Sequence, residues 1–496
     1  MNLTHPVRVR FAPSPTGHTH LGSGRTALYD YLLARQTGGQ FILRIEDTDQ
    51  KRYVPGAENE LMETLHWLGL DWDEGPDVGG KFGPYRQSER RQIYTTHARN
   101  LIESGHAYYC FCSPERLAEV RSKQIANKQN PRYDRTCRNI DPDEASKRVA
   151  RGEKHVIRFK VPDGGSITAH DLLRGDITVE NNALDDSVLI KTDGLAVYHL
   201  AAMVDDFLMK ISHVIRGSEW LSTFPLHCHI IRALGWNEPV FVHLSLFLKP
   251  SGKGKMSKRE SPDLSKDGYS IFLKDMQDLG YLPEAVVNWI ALMGWSFDDR
   301  TEYFTLSDLV EKFNLQNLNP APAAINFSKL DHFNGLHIRT SDPDRLAKEV
   351  KPFLEKAGYP VDDSKLGQMI PIVRERLVTL DDIIPFGGFF FQEEIQPAAE
   401  DLIGNKMTVT ESAQVVRKVL EIIGMHPQLD GIEERLRSLA EELNYGVGQV
   451  FGIVRVAVTG QKVSPPLIES MAIIGIDKVI SRLQKALVIL EKLTRD

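Results

Sequence analysis

The alternation of apolar and polar residues opens the chain on a strand. Residues 7–11, Val-Arg-Val-Arg-Phe, repeat with period two and are rich in β-formers. A stretch of Pro, Gly, Ser and Thr follows over 12–24, and then the period changes. Across 25–36, Leu28, Leu32 and Leu33 share one face of a predicted helix, closed by Gly38-Gly39 in the manner of a glycine C-cap. Residues 40–45 read as a second strand that runs into Glu46-Asp-Thr-Asp49. A strand–helix–strand unit of this size forms a right-handed parallel crossover. Ligands of such a unit sit beyond the carboxyl ends of its strands, here 11–24 and 46–49.

The pattern loosens further on. Strand-like stretches at 156–161 and 177–191, separated by Gly-rich turns, mark 86–190 as an α/β insertion. A strand-like segment at 195–200 and an apolar-periodic one at 221–234 are expected to return to the first sheet. Residues 250–259, Pro-Ser-Gly-Lys-Gly-Lys-Met-Ser-Lys-Arg, form a Gly/Lys loop, and helical periods dominate 331–496, at 411–423, 432–444 and 477–495. The fold class is therefore α/β. A Rossmann-like parallel-sheet domain spans 1–85 and 191–240 and carries the insertion 86–190. The loop-bearing segment 241–330 follows, and then a mostly helical half, 331–496.

Composition narrows the function classes. At roughly 150 residues per domain, 496 residues amount to about three domains. No run of about 18 apolar residues exists, so no membrane span is expected. The first residues lack the apolar stretch of a secretory signal, and four cysteines make no disulfide framework, so the expected location is cytoplasmic. The net charge of −7 counts against a nucleic-acid partner, since phosphate-binding surfaces are basic. The distribution of charge reverses that reading: residues 113–160 hold 13 Lys/Arg against 7 Asp/Glu, a local excess of +6.

Two loops carry candidate chemistry. The first, Phe11-Ala-Pro-Ser-Pro-Thr-Gly17-His-Thr-His20-Leu-Gly22-Ser-Gly24, is neither a P-loop nor G-x-G-x-x-G. It sets glycines and two histidines before a helix N-terminus, where unpaired N–H groups and the helix dipole attract anions. Gly22 and Gly24 are expected to let the backbone approach a nucleotide. The second, Lys255-Met-Ser-Lys-Arg259, is a cationic strip suited to charge that migrates onto departing pyrophosphate. Each loop alone also reads as an ordinary surface turn.

Together, His20-Leu-Gly22-Ser23 and Lys255-Met-Ser-Lys258 resemble the paired HIGH and KMSK signatures of class I aminoacyl-tRNA synthetases. Arg10-Phe-Ala-Pro-Ser-Pro-Thr-Gly17, Arg44-Ile-Glu-Asp-Thr-Asp49, Tyr85-Arg-Gln-Ser88, Val204-Asp-Asp206 and Val214-Ile-Arg-Gly217 narrow the resemblance to the bacterial glutamyl-tRNA synthetases. Ser23 stands where the second histidine of the signature can stand, which moves weight onto His20. The resemblance implies ATP with Mg2+ as cosubstrate, and L-glutamate and the glutamate tRNA as partners. Adenylate formation is then expected to require bound tRNA. It assigns His20, Lys255 and Lys258 to catalysis, and Gly17, His20, Gly22, Lys255, Met256, Ser257 and Lys258 to the nucleotide. Arg10, Ser14, Glu46, Tyr198 and Arg216 fall to the amino acid, with Arg216 taking the γ-carboxylate and Arg10 assisting. The basic insertion corresponds to the part that grips the acceptor end, and 331–496 to the anticodon-binding half, where Arg376 matches an anticodon-reading arginine.

Cys110, Cys112 and Cys137 are three thiols where a structural zinc site needs four ligands. Asn139 occupies the position of the family's fourth ligand, and Tyr133, four residues before Cys137, is the alternative. A zinc held by Cys110, Cys112, Tyr133 and Cys137 is one reading, and a cluster of plain thiols is the other. The chain is expected to act as a monomer. The runner-up function is a non-discriminating synthetase that also charges the glutamine tRNA. A glutamyl-queuosine paralogue lacks the helical half, and a nucleotidyltransferase of the same superfold would need no RNA.

Overall fold

The computed structural model describes residues 6–256, 264–265, 268–426 and 428–494. These fall into two compact units, one formed by 1–276 with 286–327 and the other by 277–285 with 328–496.

In the first unit, β1 (Arg8–Phe11) and β2 (Gln40–Leu43) pair in parallel through register Arg8↔Gln40 to Phe11↔Leu43, with α1 (Leu21–Thr37) as the crossover. Val9, Phe41, Ile42 and Leu43 are fully buried, as expected of parallel strands covered on both faces. Gly38, with φ +64°, closes α1 by donating its N–H to Ala34 and Arg35 carbonyls. The helix starts at Leu21, four residues earlier than its apolar period suggests. Gly22 and Gly24 lower intrinsic helix propensity, but the His20 ring caps the first turn and offsets that loss.

After β2 come α2 (Ala57–Trp67) and α3 (Arg91–Glu103). A three-stranded antiparallel sheet is built from β3 (Ala107–Cys110), β4 (Val156–Phe159) and β7 (Val188–Ile190). The helices α4 (Pro114–Ala126) and α5 (Pro142–Ala150) lie between β3 and β4 in sequence. Between β4 and β7 the hairpin of β5 (Ser166–Asp171) and β6 (Gly175–Glu180) leaves this sheet. It joins β9 (Val240–Leu244), which pairs in parallel with β8 (His213–Gly217). Ser212 N–H donates to Arg8 O at 2.9 Å, so β8 runs beside β1.

One expected strand is a helix. Residues 195–200 do not enter a sheet as a strand; Val197 is the extended cap of α6 (Tyr198–Leu208), in which Leu200, Ala201, Ala202, Met203 and Val204 are all buried. Burial on every side erases the polar stripe that distinguishes helix from strand, and the window is too short to separate the two by period. The return to the sheet comes instead at β8. The apolar period at 221–234 does form a helix, α7 (Phe224–Ala233).

The second unit is helical throughout its described residues. Its expected helices appear as Val409–Met425, Ile432–Glu442 and Ile476–Leu493. The first begins with a capping box between Thr408 and Glu411. Their apolar faces meet in one core that includes Val416, Val419, Leu436, Val454, Leu483 and Leu490.

Candidate active site

The carboxyl ends of β1, β2, β8 and β9 place Arg10, Arg44, Arg216 and His243 around one region of the first unit, all of them buried. Three arginines there are tied to three acids. Arg10 Nε donates to Asp206 Oδ1 at 2.9 Å, and Arg44 bonds Asp206 at 2.7 Å and Glu46 at 3.0 Å. Arg90 Nε meets Asp205 Oδ1 at 2.7 Å, while Tyr94 Oη and Gln87 Nε2 donate to the other Asp205 oxygen at 2.8 and 2.9 Å. Burial opposes ionisation of Asp206, but Arg10 and Arg44 outweigh it and hold the carboxyl below its ordinary range. At Glu46 burial prevails over the same two arginines and raises the carboxyl. Asp206 is thus the committed anion of the network, and Glu46 is readier to receive a positive group.

Arg216 is held quite differently. Its Nε donates to His243 Nε2 at 2.9 Å, Nη2 meets His227 Nδ1 at 3.1 Å, and Nη1 donates to Tyr198 Oη at 3.3 Å. Tyr198 stacks on Trp220 with ring centroids 3.9 Å apart. Among the described residues no carboxylate forms an ion pair with Arg216, which is 5% exposed. Burial, then the charge of Arg216, pushes His227 well below its ordinary value. His243 is likewise lowered by burial and Arg216, against the pull of Asp171. The guanidinium therefore sits in a cage of neutral rings. A guanidinium has five N–H groups and three are engaged, which leaves one on each terminal nitrogen, the pair that a carboxylate binds as a fork. Tyr198 lies within the electrostatic reach of Arg216, Glu46 and Arg10, so the structure brings these four predicted residues together.

His20 caps α1 through Nδ1, which accepts from Gly22 N–H at 3.0 Å and Ser23 N–H at 3.3 Å. A ring nitrogen that accepts is unprotonated, so in the neutral ring the proton is on Nε2, where it can be donated. Both glycines also make room inside the fold. A Cβ on Gly22 would stand 3.0 Å from the His20 ring, and one on Gly24 would stand 2.7 Å from Leu273. Gly17 adopts φ +123°, a conformation few other residues accept. Arg25 Nη1 donates to Met293 O at 2.8 Å, Nη2 bonds Ser245 O, and the guanidinium lies over the Phe247 ring, tying α1 to the strand end that leads into the Lys loop. In that loop Lys255 is exposed and bridges to Leu248, whereas Met256 is buried and its N–H bonds Phe247 O. Ser257 and Lys258 lie outside the described residues.

Ser14 is exposed, and among the described residues its hydroxyl makes no hydrogen bond; its neighbour Pro13 accepts from Glu46 N–H at 2.9 Å, which keeps Ser14 beside Glu46. Arg376 is exposed on the second unit near Arg455, whose guanidinium is lowered by burial and by Arg376. In the insertion, Cys110, Cys112 and Cys137 place their sulfurs within 4.8 Å of one another. Tyr133 Oη lies 3.3 Å from Cys110 Sγ and 3.5 Å from Cys112 Sγ, while Asn139 is exposed.

Four residues of this site escaped sequence reasoning as site residues. Arg44 and Asp206 stand inside motifs quoted for the resemblance, so the signal was present but carried no role. His227 and His243 sit in apolar stretches where a histidine reads as a core residue; only their approach to Arg216 from α7 and β9 distinguishes them.

Residues 6–332 match the family model described as tRNA synthetases class I (E and Q), catalytic domain, and 345–487 match an anticodon binding domain. The glutamate--tRNA ligase of Borrelia recurrentis is 42% identical over 98% of this chain and 96% of its own length. That of Dehalococcoides mccartyi is 42% identical over 99% of this chain and its full length. Among solved structures, a glutamate tRNA ligase from Elizabethkingia meningosepticum in complex with its amino acid superimposes with a TM-score of 0.89 at 38% identity, covering 98% of this chain and 99% of that one. With both of its halves accounted for and both kinds of relative matched along nearly all of its length, the chain belongs to the class I aminoacyl-tRNA synthetases and, within them, to the glutamate–tRNA ligase family.

Proposed function

We propose that the protein activates L-glutamate with ATP and transfers it to the glutamate tRNA, with Arg216 as the receptor for the γ-carboxylate. The observation that carries this reading is the buried, uncompensated guanidinium with one unused N–H on each terminal nitrogen. A selective glutamate site needs just such a fork. Arg10 assists from the side: its Nε and Nη2 are committed to Asp206, so its contribution is a single hydrogen bond from the Nη1 end, which meets only Ile215 O at 3.4 Å, and not a second fork. Tyr198 forms the wall beside the side chain, and Glu46 with Ser14 receives the α-ammonium.

In the first step a glutamate α-carboxylate oxygen attacks the α-phosphorus of ATP. The bond from that phosphorus to the bridging oxygen breaks, and pyrophosphate departs. In the second the 2′-hydroxyl of the terminal adenosine attacks the acyl carbon, its proton is lost, and AMP leaves. No side chain becomes a covalent nucleophile; rate comes from placement and charge stabilisation. His20 Nε2–H donates to a phosphate oxygen beside the start of α1 and the Gly17 turn. Lys255 and Lys258 hold the charge that moves onto pyrophosphate, and Met256, packed in the core, anchors their loop. Magnesium arrives with ATP and supplies further charge to the phosphates.

The basic insertion is assigned to the acceptor end and the exposed Arg376, in the field of Arg455, to the anticodon of the glutamate tRNA. Charging assays with glutamate, ATP and transcripts of the two tRNAs test the assignment. The glutamate transcript is expected to be charged, and the glutamine transcript about 100-fold less efficiently, the discrimination that about 3 kcal/mol of base reading gives. His20→Ala should lower kcat by about 100- to 1,000-fold, the effect of removing one donor to developing charge, with the KM for glutamate little changed. Failure of folded protein to charge either transcript overturns the reading.

The thiol cluster fits a structural zinc. Ligands about 2.3 Å from a common centre in a tetrahedron lie about 3.8 Å apart, and the Cys110, Cys112, Cys137 and Tyr133 donor atoms are spaced accordingly. Bound there, zinc would fasten the Cys110 end of β3 to the segment carrying Tyr133 and Cys137. Metal analysis of the purified protein is expected to find about one zinc per chain, lost in Cys110→Ser. A metal-free wild-type protein that charges tRNA normally excludes the site.

A further inference from the structure

We propose that His243 and His227 are positioning residues that hold Arg216 as neutral hydrogen-bond acceptors, so that the guanidinium keeps its whole charge for an incoming carboxylate and discriminates it from an amide. The inference rests on the reading of Arg216 as the γ-carboxylate receptor.

A guanidinium only donates, so each ring nitrogen that faces Arg216 must be unprotonated. His243 Nε2 accepts from Arg216 Nε, which places the His243 proton on Nδ1. That proton is directed at Asp171 Oδ2, 2.7 Å away. Asp171 is itself fixed: the same oxygen accepts from His243 N–H at 2.9 Å, and Oδ1 accepts from Leu173 and Arg174 N–H at 3.0 and 2.8 Å. His227 Nδ1 faces Arg216 Nη2, so its proton is on Nε2, directed at His199 Nδ1 at 2.9 Å. Both tautomers are thus set by partners on the far side of each ring, as a carboxylate sets the ring of a metal-bound histidine.

The same site shows the alternative way to hold an arginine. Arg10 and Arg44 are neutralised by Asp206 and Glu46, and such guanidinium groups have little charge left for a ligand. Arg216 is spared a carboxylate and receives two neutral rings and a phenol in its place. The groups facing His227 are Arg216, His199, His243 and Tyr198, and those facing His243 are Asp171, Arg216 and Arg174. Burial and Arg216 favour the neutral form of both rings. A glutamate carboxylate completes the charge balance of this cage; a glutamine amide leaves Arg216 uncompensated.

The test compares His243→Gln and His227→Asn, which keep an acceptor near the same ring nitrogen, with His243→Leu and His227→Leu, which remove it. His227→Asp keeps an acceptor but adds a counter-charge. In tRNA-charging assays with glutamate or ATP varied, the Leu variants are expected to raise the KM for glutamate about 10- to 100-fold. The KM for ATP should stay within about threefold, and Gln and Asn should recover most of the loss. His227→Asp should raise the glutamate KM at least as far as His227→Leu, and should reduce the preference for glutamate over glutamine, despite its acceptor. The inference is overturned if His227→Asp binds glutamate as the wild type does, or if glutamate and ATP constants rise together. Should the Leu variants fail to fold, the Asn and Asp variants of His227 decide the matter alone. Arg216→Lys, which keeps the charge and loses the fork, is measured beside them. An unchanged glutamate KM there refutes the reading of Arg216 itself. A selective rise there, with histidine variants that behave as wild type, refutes only the role given to the rings.

Discussion

Replacing Arg216 by alanine is expected to raise the KM for glutamate about 100- to 10,000-fold, because two charge-assisted hydrogen bonds worth about 1.5–3 kcal/mol each disappear. The KM for ATP is expected to change by less than about threefold, since the nucleotide is held from the His20 and Lys255 loops. Measuring both constants by tRNA charging checks the split, and equal rises in the two would remove Arg216 from the amino-acid pocket. A second consequence runs against intuition. Arg216 is a buried charge without a carboxylate partner, so its removal relieves an electrostatic cost and leaves no charge behind, only the neutral ring nitrogens that accepted from it. The thermal midpoint of Arg216→Ala is therefore expected to equal or exceed that of the wild type. Burial and Arg216 both hold His227 below its ordinary value. Loss of Arg216 should let it rise, and its titration by NMR gives an independent readout.

Asp206→Ala is expected to do the reverse. This carboxylate is shared by Arg10 and Arg44, at 2.9 and 2.7 Å, and all three side chains are buried. Breaking a buried ion pair from one side costs about 3–5 kcal/mol, because the partner charges stay behind. For a unit of this size, with an unfolding entropy of about 2 cal/mol/K per residue, that corresponds to a midpoint lower by roughly 5–8 °C. Asp206→Asn, which keeps the shape and loses the charge, should fall between the two. The sign with pH follows from the lowered carboxyl. A group whose native value lies below its unfolded value contributes its full stability above the unfolded value of about 3.9, and loses it as pH falls through the native one. The difference between wild type and Asp206→Asn should accordingly be greatest near neutral pH and shrink in acid. A difference that is constant down to about pH 3 would show that packing, not charge, makes Asp206 matter.

The contrast between these two residues marks what local sequence could and could not convey. The strand–helix–strand opening, the Gly38 terminus of α1, and the helices at Val409–Met425, Ile432–Glu442 and Ile476–Leu493 were all legible, because period and capping are properties of neighbours along the chain. Linear motifs likewise carried Arg10, His20, Glu46 and Arg216 into view. The strand expected at 195–200 failed where burial on all sides removed the polar face that periodicity needs. The His20 ring beside Gly22 and Leu273 beside Gly24 were not legible for a related reason: what packs against a glycine is decided in space.

Sequence by itself therefore determined the two-part architecture, the family, and which residue types gather at the strand ends. Only the tertiary structure decided which arginine is spent and which is free. Arg10 and Arg216 read alike in one dimension, each at the end of a strand. In the folded chain α6 brings Asp206 to the first, whereas α7 and β9 bring His227 and His243 to the second. Charge compensation acts over a few ångströms through space, between residues up to 196 positions apart in the chain. No local pattern encodes it.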